Sequence, residues 1–271
     1  MAPPQTTPKE APPAVPPNPV HVERVEAIER GLGMPIDKDR ALHAMERTSV
    51  LPFSYGYQAF KYAREGVPKT PWIKAVGKGI WTSISTGGLR VQSRDAIFIN
   101  PWMHPISNTK VRLHETLHAA SEGKDLPQGR DFLGGRRAVS GIEKVAADGT
   151  IQLTNFNEAL TNFFTVRAAQ ELKGDPTPPK YKVEVKIVSR IASLLDAQGQ
   201  DGAKFLAKAY LEHDADSIRQ AVDTLSTDGA FEALTNAMKK ESGFRSLLRG
   251  LPDTNRIMTA IERQARETRK K

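Results

Sequence analysis

The most informative stretch of the sequence is His114-Glu115-Thr116-Leu117-His118. Two histidines four residues apart lie one above the other on one face of a helix, so their imidazoles can share a metal ion. Zinc suits nitrogen ligands in a tetrahedral site. The glutamate that follows the first histidine projects beside such an ion, where its carboxylate can take a proton from an attacking water. The pattern predicts a Zn²⁺ site with Glu115 as general base.

The residues around the motif predict the helix that carries it. Residues 107–109 offer N-cap side chains, Leu113 and Leu117 belong to an apolar stripe, and Gly123 follows as a helix end. Residues 96–100, just upstream, are typical of a short buried strand. An apolar strand that leads into a ligand-bearing helix would give the site a rigid platform.

A third ligand is expected, because catalytic zinc usually keeps three protein ligands and one open position. A third histidine six residues after the second is excluded, because Lys124 stands there. Further along, a stretch that starts at Asn155 and continues to Phe164 opens a second helix, predicted to be strongly amphipathic and to run to about Leu172. Within it, Asn157-Glu158-Ala159-Leu160-Thr161-Asn162 resembles the second motif of the gluzincin metallopeptidases, the thermolysin-like group. The resemblance covers the two motif helices, roughly residues 107–172.

The resemblance implies roles for four residues. His114 and His118 would bind zinc, Glu158 on the later helix would be the third ligand, and Glu115 would be the general base. The implied fold is α+β and zincin-like: mainly helical, with a small antiparallel or mixed sheet before the zinc helix and a helical C-terminal lobe. The implied activity is that of an endopeptidase.

The sequence departs from the gluzincin pattern around these ligands. An aspartate four residues after the ligand glutamate orients the first histidine in that family, and this chain has Asn162 there. An amide can accept a hydrogen bond from an imidazole N–H but lacks the charge that raises ligand basicity. We expect Asn162 and Asn157 to lie directly behind the ligands. The family also supplies a tyrosine or histidine that steadies the oxyanion, for which the downstream candidates are Tyr181, Tyr210 and His213.

Three regions are predicted along the chain. Residues 1–20 contain 8 of the 19 prolines and are typical of an extended tail that acts as a linker, a tether or an address. Residues 21–174 would form the catalytic lobe, and residues 175–271 a helical lobe that makes the far wall of the cleft. Within the catalytic lobe, the connection 123–154 must border the cleft, because it joins the two ligand helices.

The predicted secondary structure follows from periodicity and turn residues. A hairpin is predicted near residues 80–92, and a second one turns at Asp148-Gly149. Beyond residue 181 the chain is expected to be wholly helical. One helix is indicated by the apolar repeat Val185, Val188, Ile191 and Leu195. The other predicted helices outside the two motif segments are 21–31, 38–47, 53–65, 201–211, 215–225, 229–241 and 252–268.

Composition narrows the function classes. The chain has no cysteine, which excludes disulfides and thiolate zinc fingers, and no apolar run approaches the length of a membrane span. A net charge of +8 can attract nucleic acid, but the basic residues are not interleaved with aromatic ones as single-strand platforms require. We therefore expect no stable nucleic-acid partner. The N-terminus lacks the pattern of a Sec-type signal.

The sequence favours a zinc metallopeptidase that acts on a protein or peptide substrate. The proline-rich head and the lack of a Sec-type pattern suggest a toxin or effector, cytoplasmic before export by a non-Sec route. A secretion chaperone or tethering partner would contact the N-terminal tail. Two alternatives stay open: a catalytically idle zincin fold used as a binding or structural module, and a basic nucleic-acid-associated protein.

Overall fold

The fold is described from a computed structural model, which covers residues 16–50, 88–91, 96–99, 105–122, 126–130, 136–172, 182–241 and 251–270. Helices dominate these residues, and three small sheets accompany them. The predicted α+β class is therefore confirmed. The predicted helix at 53–65, the strand at 80–85, residues 1–15 of the tail, Gly123 and Tyr181 lie outside the described residues.

Two helices precede the first sheet. Helix α1 is Pro19–Leu32, and the side chain of Asn18 caps its N-terminus by accepting a hydrogen bond from the backbone of Val20. Helix α2 is Lys38–Glu46, and its N-cap is Asp37, whose carboxylate accepts a hydrogen bond from the backbone N–H of Arg40. Short polar side chains at these positions satisfy backbone N–H groups that the helix itself leaves free.

The first sheet is mixed and lies ahead of the motif helix in the chain. Its strands are β1 (Thr48–Val50), β2 (Gly88–Val91) and β3 (Ala96–Ile99), in the order β1-β3-β2. Strand β3 is parallel to β1 and antiparallel to β2, with Leu89 opposite Phe98. The expected strand at 96–100 is confirmed, and it pairs with the second strand of the predicted hairpin.

Helix α3, Pro105–Ala120, carries the histidine motif. The prediction that it begins after an N-cap at residues 107–109 was wrong, since these residues lie inside the helix. Proline at the first helical position explains the earlier start, because its fixed φ suits a helix and its missing N–H has no partner there anyway. Leu113 and Leu117 are fully buried, as the apolar stripe predicted.

Two short hairpins connect the motif helices. One pairs β4 (Gln128–Arg130) with β5 (Arg136–Ala138), and the other pairs β6 (Lys144–Val145) with β7 (Ile151–Gln152). The second hairpin was predicted from its turn, where Gly149 has a φ of 80°. Backbone of that kind costs glycine little, because it has no Cβ.

Helix α4, Thr154–Glu171, is the centre of the molecule. It packs against α1 and α3 and against the helix that follows it. Its end at Glu171, with Leu172 as the C-cap residue, agrees with the prediction, but the predicted strongly amphipathic character was wrong. Residues on every side of α4 are buried, because helices surround it. A helix at the centre of a domain is expected to be enclosed in this way.

The described residues beyond Tyr181 are mainly helical, as predicted. One hydrophobic cluster runs from Val25 in α1 through α4 to Ala265 in the last helix, so the described parts of the two predicted lobes share a core. None of the described helices has both the length and the apolar character needed to cross a membrane. The C-terminal helices are α5 (Lys182–Asp196), α6 (Gly202–Leu211), α7 (Ala215–Leu225), α8 (Ala230–Glu241) and α9 (Pro252–Thr268).

Candidate metal centre

Helices α3 and α4 bring the three predicted ligands together. His114 and His118 lie on one face of α3, and Glu158 lies one turn into α4. Packing of α3 against α4 brings the ligands together, because Leu113 and Leu117, on the face of α3 next to the histidines, are buried in the core. Among the described residues, this is the group of three side chains that could hold a metal ion.

The three side chains meet at close range. The Nε2 atoms of His114 and His118 are 3.1 Å apart. The Glu158 carboxylate spans both rings, with Oε2 at 3.2 Å from Nε2 of His114 and Oε1 at 3.2 Å from Nε2 of His118. The two rings stand edge to face, with an interplanar angle of 79°.

These distances agree with the geometry of a zinc site. Two ligand atoms on a tetrahedral zinc ion lie about 3.3 Å apart when each bond is about 2.0–2.1 Å long. Two imidazole nitrogens and a carboxylate oxygen are also a donor set that zinc accepts. The residues present therefore fit the ion that the motif predicts.

The centre is open to solvent on one side. The Glu158 side chain is 37% exposed, whereas those of His114 and His118 are 15% and 12% exposed. A catalytic metal needs a position that water or substrate can reach. A structural zinc site, by contrast, is closed by four protein ligands.

The charges of the three groups are strongly coupled. Burial would lower the pKa of His118, but the Glu158 carboxylate, helped by Glu115 and Glu143, outweighs it and raises the pKa to about 9. Burial would raise the pKa of Glu158, yet the two imidazoles hold it well below its usual range. In the absence of an ion, His118 is therefore a cation paired with a carboxylate.

Glu115 lies beside this pair on α3. Glu115 is only 8% exposed, and its negative charge contributes to the raised pKa of His118. It is not part of the cluster of ligand atoms. A carboxylate that is close to a metal site but does not belong to the ligand set is free to act on protons.

The turn at residues 139–143 joins the two hairpins and contacts His118. The Nδ1 atom of His118 is 3.2 Å from Oγ of Ser140, and Oε2 of Glu143 accepts a hydrogen bond of 3.1 Å from the backbone N–H of Ser140. Both residues are buried, at 3% exposure. The sequence predicted that the connection 123–154 borders the site, but no spacing or motif pointed to Ser140 or Glu143.

The two asparagines expected behind the ligands have different partners. Asn157 is fully buried, and its amide contacts Ser140 Oγ at 3.5 Å and accepts from the backbone of Ile142 at 3.1 Å. Asn162 donates to the backbone carbonyl of Glu158 at 2.7 Å instead of accepting from His114. Asn162 thus supports the backbone of one ligand, whereas Asn157 reaches the residue that contacts another.

The three candidates for steadying an oxyanion also differ. Tyr210 is fully buried and its hydroxyl lies 3.0 Å from Oγ1 of Thr161, so it belongs to the core and does not reach a substrate. Tyr181 lies outside the described residues. His213 is half-buried, and its Nδ1 donates to the carbonyl of Gly141 at 2.6 Å, which leaves Nε2 for other contacts.

The comparisons with known proteins give no match: neither a protein-family model, nor a curated protein, nor a solved structure matches the chain. The geometry of the centre and the sequence motifs therefore carry the functional argument.

Proposed function

We propose that this protein is a zinc-dependent metallopeptidase with a zincin-like fold. The observation that carries the proposal is the convergence of His114, His118 and Glu158, from two helices, with their ligand atoms 3.1–3.2 Å apart. The histidine pair and the glutamate were each expected at these positions from the motif pattern. Ordinary packing would not require the polar atoms of three partly exposed side chains to lie within contact distance of one another.

The ligand set favours zinc over harder cations. Calcium and magnesium prefer shells made only of oxygen atoms, whereas two imidazoles and one carboxylate suit zinc. When bound, zinc would act as a Lewis acid on the scissile carbonyl and make an attacking water more acidic. Glu158 is ionised, because its pKa lies well below the usual range, and it supplies the negative charge that a dication needs.

Glu115 would move the proton. Its place on α3, directly after one ligand and three residues before the other, puts its carboxylate beside the centre without a ligand role. There it accepts a proton from the attacking water and then gives it to the leaving amine, as general base and then general acid. The low exposure of Glu115 limits competing contacts with bulk water.

His213 would hold the developing charge on the substrate oxygen. Gly141, which accepts the hydrogen bond from Nδ1 of His213, is the neighbour of Ser140, which contacts His118. The φ of His213 is 59°, a left-handed backbone conformation that residues other than glycine rarely adopt. The fold therefore holds this residue in a strained conformation. Because Nδ1 is held by the carbonyl of Gly141, Nε2 is the ring atom that would face the substrate oxygen.

The proposed substrate is a protein or a peptide, since attack by an activated water on an amide carbonyl is the reaction that these groups serve. Delivery as a secreted effector or toxin rests on the proline-rich composition of residues 1–20 alone. A catalytically idle metal-binding module is the second candidate. The observation that favours it is Asn162, which bonds to the backbone of Glu158 and stands where the gluzincin pattern has an aspartate.

A comparison of wild type with Glu115→Gln tests the proposal. Both proteins are loaded with zinc, metal content is measured, and cleavage of a peptide library is followed by mass spectrometry. We expect one zinc per chain in both proteins and cleavage by wild type only. The matched control is Glu232→Gln on the exposed face of α8, which should cleave like wild type.

Two outcomes would reject the proposal. Equal cleavage by wild type and Glu115→Gln would reject the assignment of Glu115 as the general base. Zinc binding without any cleavage by wild type would favour the idle metal-binding module.

A further inference from the structure

We infer that Ser140 and Glu143 position His118 for metal binding, through a hydrogen-bonded relay that fixes which ring nitrogen carries a proton. The relay runs from Nδ1 of His118 to Oγ of Ser140, at 3.2 Å, and from Oγ of Ser140 to Oε2 of Glu143, at 3.4 Å. The inference rests on the proposed metal centre. It adds two positioning residues that lie outside both motif helices.

The direction of the relay follows from the chemistry of its ends. Oε2 of Glu143 already accepts from the backbone N–H of Ser140, so it acts as an acceptor and the Ser140 hydroxyl donates its single hydrogen to it. Ser140 Oγ can then only accept from His118, and Nδ1 of His118 must be the donor. The Nε2 atom is thereby the one left with a lone pair when the ring is neutral, and it is Nε2 that faces His114 and Glu158.

The surrounding contacts hold Ser140 in place. The backbone N–H of Ser140 donates to the same Oε2 of Glu143 that its hydroxyl contacts. The Nδ2 atom of Asn157 donates to Ser140 Oγ at 3.5 Å, and Oδ1 of Asn157 accepts from the backbone of Ile142, which fixes the orientation of the amide. Ser140 Oγ thus donates once and accepts twice, so its hydrogen-bonding capacity is filled.

The turn itself depends on Gly141. Its φ is 54°, and a Cβ there would overlap Oδ1 of Asn157 and the ring of Tyr210. The backbone N–H of Gly141 donates to Oγ of Ser121, at the end of α3, at 3.0 Å. The turn is therefore fastened to both ligand helices, which is the arrangement needed to hold an imidazole at a fixed angle.

The test uses zinc alone as the ligand and needs no substrate. Zinc affinity is measured by competition with a chromophoric chelator for wild type, Ser140→Ala and Glu143→Gln. We expect Ser140→Ala to bind zinc about 10–100-fold more weakly, the usual effect of losing such a partner. Glu143→Gln, which keeps a hydrogen-bond acceptor but loses the charge, should show a smaller loss.

The control is Thr161→Val, a change of nearly equal shape in the same buried region. Thr161 contacts Tyr210 and the backbone of Asn157, not the relay. We expect Thr161→Val to lower the unfolding temperature and to leave zinc affinity within about threefold of wild type. A purely structural role for Ser140 would instead make zinc affinity follow stability in both variants.

A second readout is the imidazole Nδ1–H signal of His118 in NMR spectra, recorded for metal-free and zinc-loaded protein. In wild type we expect a slowly exchanging Nδ1 proton, and in Ser140→Ala the same proton should exchange faster. This signal separates the relay from the metal centre. It can be read in wild type even if Ser140→Ala fails to fold.

The outcomes are distinct. Wild-type zinc binding with unchanged affinity in Ser140→Ala overturns the relay and leaves the metal centre standing. No zinc binding by wild type overturns the metal centre, and the Nδ1–H signal then decides the relay by itself. Absence of a protected Nδ1 proton in folded wild type overturns the relay in either case.

Discussion

The Nε2 atom of His118 lies 3.2 Å from Oε1 of Glu158, although the two residues belong to different helices. His114 contacts both of these residues, so the three side chains form a triangle that joins α3 to the central helix α4. The charge of Glu158 therefore affects metal binding and the protonation of His118 together.

Replacing Glu158 tests its place in the ligand set. Glu158→Gln keeps the shape of the side chain but removes the charge, so we expect zinc affinity to fall at least about tenfold. Isothermal titration with zinc measures the change. The matched control is Glu171→Gln at the far end of α4, where the carboxylate lies 3.4 Å from exposed Arg30, and its zinc affinity should equal that of wild type. Equal affinity in both variants would contradict a ligand role for Glu158.

The pH dependence of the metal-free protein follows from His118. Its pKa is raised to about 9 in the folded chain from an ordinary value of 6.5, so protonation of His118 stabilises the folded state. This contribution is complete below pH 6.5 and is lost as the pH rises through 9. Zinc must displace that proton, so zinc affinity should rise over the same interval. Chelator competition between pH 6.5 and 8.5 measures the zinc affinity. An affinity that falls as the pH rises would contradict the pairing of protonated His118 with Glu158.

The turn at Gly141 should be intolerant of a side chain. Gly141→Ala combines a positive φ with overlap against Asn157 and Tyr210, so we expect a loss of about 2–4 kcal/mol of unfolding free energy and weaker zinc binding. Gly149→Ala is the matched control, because Gly149 also has a positive φ but open space around it. It should cost only about 1–2 kcal/mol. Urea unfolding measures both, and equal losses would show that packing at Gly141 is unimportant.

His213 and Tyr210 can be separated by substitution. His213→Ala should lower kcat about 10²–10³-fold with zinc affinity unchanged, as expected for a group that steadies an oxyanion. Tyr210→Phe should lower stability, because it removes a buried hydrogen bond to Thr161, and should leave kcat within a few-fold of wild type. Peptide cleavage kinetics with thermal unfolding distinguish the two, and a reversed pattern would place Tyr210 in the site.

An ion pair between α5 and α9 should contribute to the stability of the C-terminal helices. Arg190 binds Glu262 through two hydrogen bonds, of 2.6 and 2.9 Å, and the Arg190 guanidinium holds the pKa of Glu262 below its usual value. Glu262→Gln should lower the unfolding free energy by about 1 kcal/mol at neutral pH. Because the pKa of Glu262 is depressed, this difference should disappear as the pH falls through that pKa. A difference that persists in acid would contradict the charge pairing.

Much of the helical framework was predictable from local signals. The start of α2 follows from the Asp37 cap, and the helices between Gly202 and Thr268 follow from apolar periodicity and from turn residues between them. The histidine pair was also predictable, because the spacing within one helix fixes which side chains share a face. These features depend on neighbours in sequence.

Other features depend on tertiary contacts and were missed. Helix α4 was expected to expose one face, but it is enclosed because α1, α3 and α5 pack around it. The relay through Ser140 and Glu143 was missed because it forms only when a turn from the connection packs against α3. Asn162 was expected at His114, but its amide reaches the nearer carbonyl of Glu158, four residues back on its own helix.

The metal centre itself is tested most directly by diffraction from zinc-soaked crystals at the zinc absorption edge. The account predicts one anomalous peak, about 2.0–2.2 Å from Nε2 of His114, Nε2 of His118 and a carboxylate oxygen of Glu158. A zinc-loaded crystal with no peak between these three side chains would contradict it.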